Sequence, residues 1–169
     1  EKPVHLEGAK DDIRLAVAFQ YTDSYTENFF SYVNNIPTHE GGTHEIGFKA
    51  AYTKVFNDYA RRQGILKEKD SNLSGEDFRE GMTCVLSVMV RSPQFEGQTK
   101  GRLGNSEVRP IVEALSTELL AAYLEDLRHQ EFALTVIEKA VKSAKVREAA
   151  RRVLGMEHYY VQILGGIIL

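Results

Sequence analysis

The segment Gln94-Phe-Glu-Gly-Gln-Thr-Lys-Gly-Arg-Leu-Gly-Asn-Ser-Glu107 constrains the chain most, because it joins two stretches of different hydrophobic period. Before it, Met82, Cys84, Leu86, Val88 and Val90 alternate with a period of two, the mark of a strand. After it, Val108, Ile111, Val112, Leu115, Leu119 and Tyr123 keep helical spacing, a buried stripe on a long amphipathic helix. The segment between must therefore turn the chain. Gly97, Gly101 and Gly104 allow positive φ or close backbone approach, and Lys100 and Arg102 place cations on the turn. A glycine-punctuated loop ahead of a helix suits an anion, because the first helical amides are unpaired. Gly-Lys-Ser/Thr does not follow Gly97, so the loop is not a P-loop.

The rest of the chain reads as strands first and helices later. Val4 and Leu6 supply a short edge strand, and Ile13, Leu15, Val17 and Phe19 alternate with Arg14, Ala16, Ala18 and Gln20 in a half-buried strand. Phe29 to Val33 forms another, and the turn at Asp23-Ser24 makes a hairpin the economical pairing. Thr43 reads as the N-cap of a helix that buries Phe48, Ala51, Tyr52, Val55, Phe56 and Tyr59 and stops at Arg61-Arg62 and Gly64. Lys49, Lys54 and Asn57 fall on its opposite, solvent face. Ser74 with Asp77 forms a capping box for a short helix closing at Gly81. Met82 to Val90 is apolar on one face and, through Val85 and Met89, partly apolar on the other, so it reads as a central strand covered more than once. The helix after the glycine loop is capped by Asn105 or Ser106 and runs to Asp126. A last helix starts near Gln130 with Phe132, Ala133, Val136, Ile137 and Ala140 inward, and protrudes from Val146 to Arg152, where Arg, Glu and Ala occupy nearly every side. The sum is an α+β fold, a small sheet with helices mainly on one face.

Several stretches together resemble the transducer domain of the ATPase component of bacterial type IIA DNA topoisomerases. They are Gln94-Phe-Glu-Gly-Gln-Thr-Lys100 with Leu103-Gly-Asn-Ser-Glu-Val108, Ser31-Tyr-Val-Asn-Asn-Ile-Pro37 with Glu40-Gly-Gly-Thr-His44, Asn72-Leu-Ser-Gly-Glu-Asp-Phe-Arg-Glu-Gly81, and Arg147-Glu-Ala-Ala-Arg-Arg152. Unbroken Pro93-Gln-Phe-Glu and Asn105-Ser-Glu-Val resemble the gyrase B branch first and topoisomerase IV second. The resemblance implies a four-stranded mixed sheet, a long protruding C-terminal helix, and a left-handed βαβ crossover that the usual handedness rule would reject. It implies that Gln98 and Lys100 reach the γ-phosphate of ATP in a preceding ATPase domain, Lys100 as the catalytic cation, with Thr99, Gly97 and Gly101 shaping the loop. Lys49 and Lys54 become candidate contacts to transported double-stranded DNA.

Further expectations follow from the resemblance. ATP and Mg2+ serve the full-length enzyme while this segment alone binds neither and is inactive. Its partners are its own ATPase domain, the cleavage-core region and gyrase A, in a homodimer within a heterotetramer. Residues 1–152 form the transducer domain, and the abrupt start reads as an excised fragment. Residues 153–169 depart from the family as an apolar tail, either carried in by a vector or a shifted frame or specific to this protein. Interrupted by Glu157, His158, Gln162 and Gly165-Gly166, the tail is no membrane span.

A formal net charge of −3 does not call for nucleic acid, so any DNA contact must be a local patch. The lone Cys84 reads as a small core residue and suits the cytoplasm. His39, Glu40 and His44 are spaced wrongly for a helical zinc motif, so no metal site is expected. The competing reading is a stand-alone nucleic-acid- or ribosome-binding module of similar fold, but that function needs cations spread over a face.

Overall fold

The structure, a computed structural model, describes residues 2–154. Among these, one five-stranded sheet has the order β1 (Val4–Lys10), β2 (Ile13–Tyr21), β5 (Met82–Met89), β3 (Asn28–Val33), β4 (Ile36–Pro37). A separate ribbon is formed by β6 (Phe95–Glu96) and β7 (Arg102–Leu103). The helices are α1 (Thr43–Arg62), α2 (Gly75–Arg79), α3 (Val108–Glu125) and α4 (Gln130–Leu154). The tail begins as the last turn of α4, and the remainder of it lies outside the described residues.

The expected β2–β3 hairpin does not form. β5 inserts between the two strands, antiparallel to β2 and parallel to β3. Neighbours in sequence usually pair, but β5 is the most completely buried strand on its core side and takes both partners. Met82, Cys84, Leu86 and Val88 have no exposed surface there. With α1 and α2 between them, the parallel β3 and β5 form the strand–helix–strand crossover that the resemblance implies. The four main strands are joined by a two-residue fifth, β4, which pairs with β3 beyond the Asn34-Asn35 turn.

The second face of β5 is open rather than covered. Val85 and Met89 are exposed, as is Phe30, which lies beside Val85 on β3. All the packing is on the other side, where an aromatic seam runs along α1. Phe19 meets Tyr52 edge-on at 5.5 Å, Tyr52 stacks on Phe56 at 4.5 Å, and Phe56 packs on Phe78 at 5.7 Å. Each such fully buried ring contributes roughly 1.5–3 kcal/mol. The Tyr52 hydroxyl bonds that of Tyr21, which donates to the Phe78 carbonyl at 2.6 Å, so neither phenol is left unpaired inside the core.

Three helix details differ from the sequence expectation. Gly42 occupies the N-cap of α1 and Thr43 is its first helical residue, with a buried hydroxyl that finds no partner among the described residues. Asn57 is buried, not solvent-facing: its side chain bonds the Leu73 amide and carbonyl at 2.8 and 3.0 Å and so pins the α1–α2 connection. The buried stripe of α3 is Val108, Val112, Leu115, Leu120 and Leu124, rotated so that Ile111, Leu119 and Tyr123 sit at its margin. The capping box of α2 forms as expected, and Asp77 accepts from Arg147 of α4 at 3.0 Å. Arg147 therefore lies against the body instead of protruding with the rest of the distal helix.

Helices α1 and α3 meet at Gly47. A Cβ at that position would lie 2.6 Å from the Arg109 carbonyl oxygen and 3.3 Å from Val112 Cβ. At an open helical site, Gly→Ala stabilises by about 1 kcal/mol. Here the overpacking cost of about 1–3 kcal/mol prevails. Gly47→Ala is expected to lower stability by about 1–2 kcal/mol in chemical denaturation, the opposite sign to an exposed helical glycine.

Candidate functional site

The glycine segment folds into the β6–β7 ribbon, which carries Gln98, Thr99 and Lys100 on its tip, all exposed. Gly97 has φ +79 and Lys100 φ +54. Every other non-glycine residue with positive φ among those described is Asp or Asn, types that tolerate the left-handed region. A lysine held there is uncommon. The ribbon returns through Asn105, which does not cap α3. Its buried side chain accepts from the Gln94 amide at 2.6 Å and donates to the Ser92 carbonyl at 3.1 Å, tying together the two limbs of the loop. Helix α3 starts three residues later, so the cation-bearing tip and the helix start are separate features.

Beside the ribbon lie residues 38–42, and beneath them is a polar cluster that the periodicity did not reveal. Thr38 Oγ1 lies 3.0 Å from the Ser31 carbonyl oxygen, 2.7 Å from Ser31 Oγ and 3.0 Å from His44 Nε2, one hydroxyl joining three partners. Ser31 Oγ donates to Glu45 Oε2 at 3.0 Å. The Glu45 Oε1 atom takes Lys49 at 2.8 Å, Lys49 lies 3.5 Å from Glu27, and Glu27 takes Arg79 at 2.9 Å. One signal was available: Ser31 falls on the core face of an otherwise apolar strand, so its hydroxyl had to find a partner.

Lys49 is thus less free than its helical position suggests. Two carboxylates hold its ammonium, which also lies 4.6 Å from the centre of the Phe29 ring. Lys54 is exposed and makes no ion pair among the described residues. Both line a groove between α1, α2 and α4 together with Arg79, Arg147 and Arg151 and with the acidic Asp58 and Glu76.

A family model described as DNA gyrase B matches residues 1–155. The chain belongs to the DNA gyrase B family. It is 49% identical over 152 residues to the DNA gyrase B protein of Halalkalibacterium halodurans, covering 90% of this chain and 24% of that protein. With the DNA gyrase B protein of Clostridium acetobutylicum it shares 51% over 153 residues, again 90% of this chain and 24% of the relative. Among solved structures, the 43K ATPase domain of Thermus thermophilus gyrase B in complex with an aminocoumarin superposes with a TM-score of 0.83 at 39% identity. The match covers 92% of this chain and 41% of that one. A topoisomerase IV ATP-binding domain from Francisella tularensis gives 0.74 at 29%, over 86% and 39% of the two chains. The chain therefore spans about a quarter of the length of these two relatives, and a stand-alone module finds no support. Among the described residues, no helix is long and apolar enough to cross a membrane.

The His44 imidazole in this gyrase B segment is fully buried and neutral, and burial pushes its pKa down to about 4. Its Nδ1 has no partner among the described residues, so protonation would place an unpaired N–H inside the fold. The folded value lies below the ordinary 6.5, so the unfolded chain binds the proton more readily. The stability contribution is intact above about pH 6.5 and is lost as pH falls toward 4. Between pH 7 and 5 this amounts to roughly 2 kcal/mol. Urea titrations across that range are expected to show a shallower pH slope for His44→Gln than for the parent chain, whatever the variant's stability at pH 7.

Proposed function

We infer that the chain is the transducer segment, residues 1–152, of an ATP-hydrolysing DNA gyrase, coupling the nucleotide state of a preceding ATPase domain to DNA strand passage and supercoiling. The observation that carries this reading is the exposed Gln98-Thr99-Lys100 tip, raised on a ribbon with Lys100 at positive φ, in a chain of the gyrase B family. Lysine is a compact point charge that neutralises a terminal phosphate as charge shifts during phosphoryl transfer, and glutamine donates to a phosphate oxygen without adding charge. Lys100 is thus the catalytic cation, Gln98 its companion on the γ-phosphate, and Thr99, Gly97 and Gly101 shape the loop. Magnesium accompanies ATP in the ATPase domain.

On this reading the partners are the ATPase domain, the cleavage-core region, gyrase A and double-stranded DNA, in a cytoplasmic homodimer within a heterotetramer. The groove between α1, α2 and α4 faces the DNA. Lys54 is the better phosphate contact, because the charge of Lys49 is already compensated by Glu45 and Glu27.

Purified alone, the chain is expected to give no turnover in a coupled ATPase assay. In a longer protein that includes the ATPase domain, Lys100→Ala should lower kcat by about 100- to 1,000-fold, the scale for losing one preorganised charge contact. Nucleotide affinity should fall less, by about tenfold, because the interaction strengthens in the transition state. Unchanged turnover in the longer Lys100→Ala protein would refute the assignment.

A further inference from the structure

The tip is free but its base is clasped. The Glu40 amide donates to the Gly101 carbonyl at 2.8 Å, the Leu103 amide donates to the Gly41 carbonyl at 3.2 Å, and Arg102 Nη1 donates to the Glu40 carbonyl at 3.1 Å. Gly42 forms a parallel bridge with Leu103 at φ +138. A Cβ there would lie 2.5 Å from the Leu103 nitrogen and 2.6 Å from its carbonyl oxygen, both rigid backbone atoms. Only glycine permits this approach.

The ribbon needs such a support. Its two strands pair through Phe95 with Leu103 and Glu96 with Arg102, and an isolated hairpin of that length has no stable direction of its own. A charge acting on a transferring phosphoryl group must be held to within about half an ångström. The supporting segment is itself fixed at its start. The Thr38 amide donates to the Ser31 carbonyl at 2.9 Å, its hydroxyl lies between that carbonyl and His44, and the Gly41 amide donates to the Thr38 carbonyl at 2.9 Å. Thr38 therefore connects the clasp to β3 and α1, and both anchor points lie away from the tip they would align.

The geometry points to residues 38–42 as the positioning strap of the Lys100 hairpin, with Gly42 and Thr38 as its two fixed points; the inference rests on the γ-phosphate role proposed for Lys100. Neither residue touches nucleotide. Each acts by fixing where the lysine stands when the ATPase domain presents its phosphate.

The test uses a longer gyrase B protein that includes the ATPase domain, with ATP as the probe. Gly42→Ala and Thr38→Val are each expected to lower kcat by at least about tenfold, while KM changes less than about threefold, the split for an element that orients a transition-state contact. Thr38→Ser keeps the hydroxyl and should stay within about twofold of the parent. In a Lys100→Ala background the strap substitutions should cost less than about a further twofold, because there is no cation left to misplace. Thr38→Val, nearly isosteric, carries the comparison should Gly42→Ala fail to fold. Strap variants with parental kcat would overturn the inference, as would the same fold-loss with and without Lys100, which marks a purely structural role. Lys100→Ala without effect on turnover would overturn the lysine assignment and the strap together, whereas a slow Lys100→Ala beside unaffected strap variants would overturn the strap alone.

Discussion

Strand β5 has hydrogen-bond partners on both sides and no exposed surface on its core-facing side chains, and the rest of the molecule is placed by it. Antiparallel pairing with β2 and parallel pairing with β3 commit the backbone of all three strands at once. The residues Met82, Cys84, Leu86 and Val88 lie fully buried in the core they share with α1, while α3 packs over β1 and β2. Burial pushes the Cys84 thiol pKa well up, so it behaves as a small core residue and not as a nucleophile. β5 leads directly into the ribbon and then α3, so this buried strand fixes where the ribbon leaves the sheet.

Polar interactions are layered over that apolar frame in a way that separates free charge from bound charge. On the ribbon, Lys100 is exposed, held at positive φ, and makes no ion pair among the described residues. Along α1, the charges of Lys49, Glu45, Glu27 and Arg79 compensate one another in a half-buried chain that begins at Ser31. Beyond it, Asp77 is almost fully buried yet satisfied by Ser74 and by Arg147, so α2 and the distal part of α4 are joined by a charge-assisted contact.

Much of this was legible in the residues taken alone. The alternation of Ile13 to Phe19, the helical stripe from Phe48 to Tyr59, the capping box at Ser74 and the glycine-punctuated loop all took the form their patterns require. Periodicity reports which side of an element is apolar, and that is a local property. The pairing of β2 with β5, the open second face of β5 and the burial of Asn57 were not legible, since each depends on what arrives from elsewhere in the chain.

The candidate site divides along the same line. Lys100 stood out by residue type as a cation among glycines, whereas Gln98, Thr99 and a phosphate role for the tip were implied only by the resemblance of the Gln94 to Lys100 stretch to the topoisomerase family. What holds them was decided only when residues 38–42 came against 101–103 in space, and when Thr38 met Ser31 and His44 while Ser31 met Glu45. Local sequence can specify a strand, a helix stripe or a flexible tip through dihedral preference and hydrophobic period. The direction of that tip, and whether a lysine such as Lys49 is free or already neutralised, depends on contacts between segments far apart in the chain, which only the folded arrangement creates.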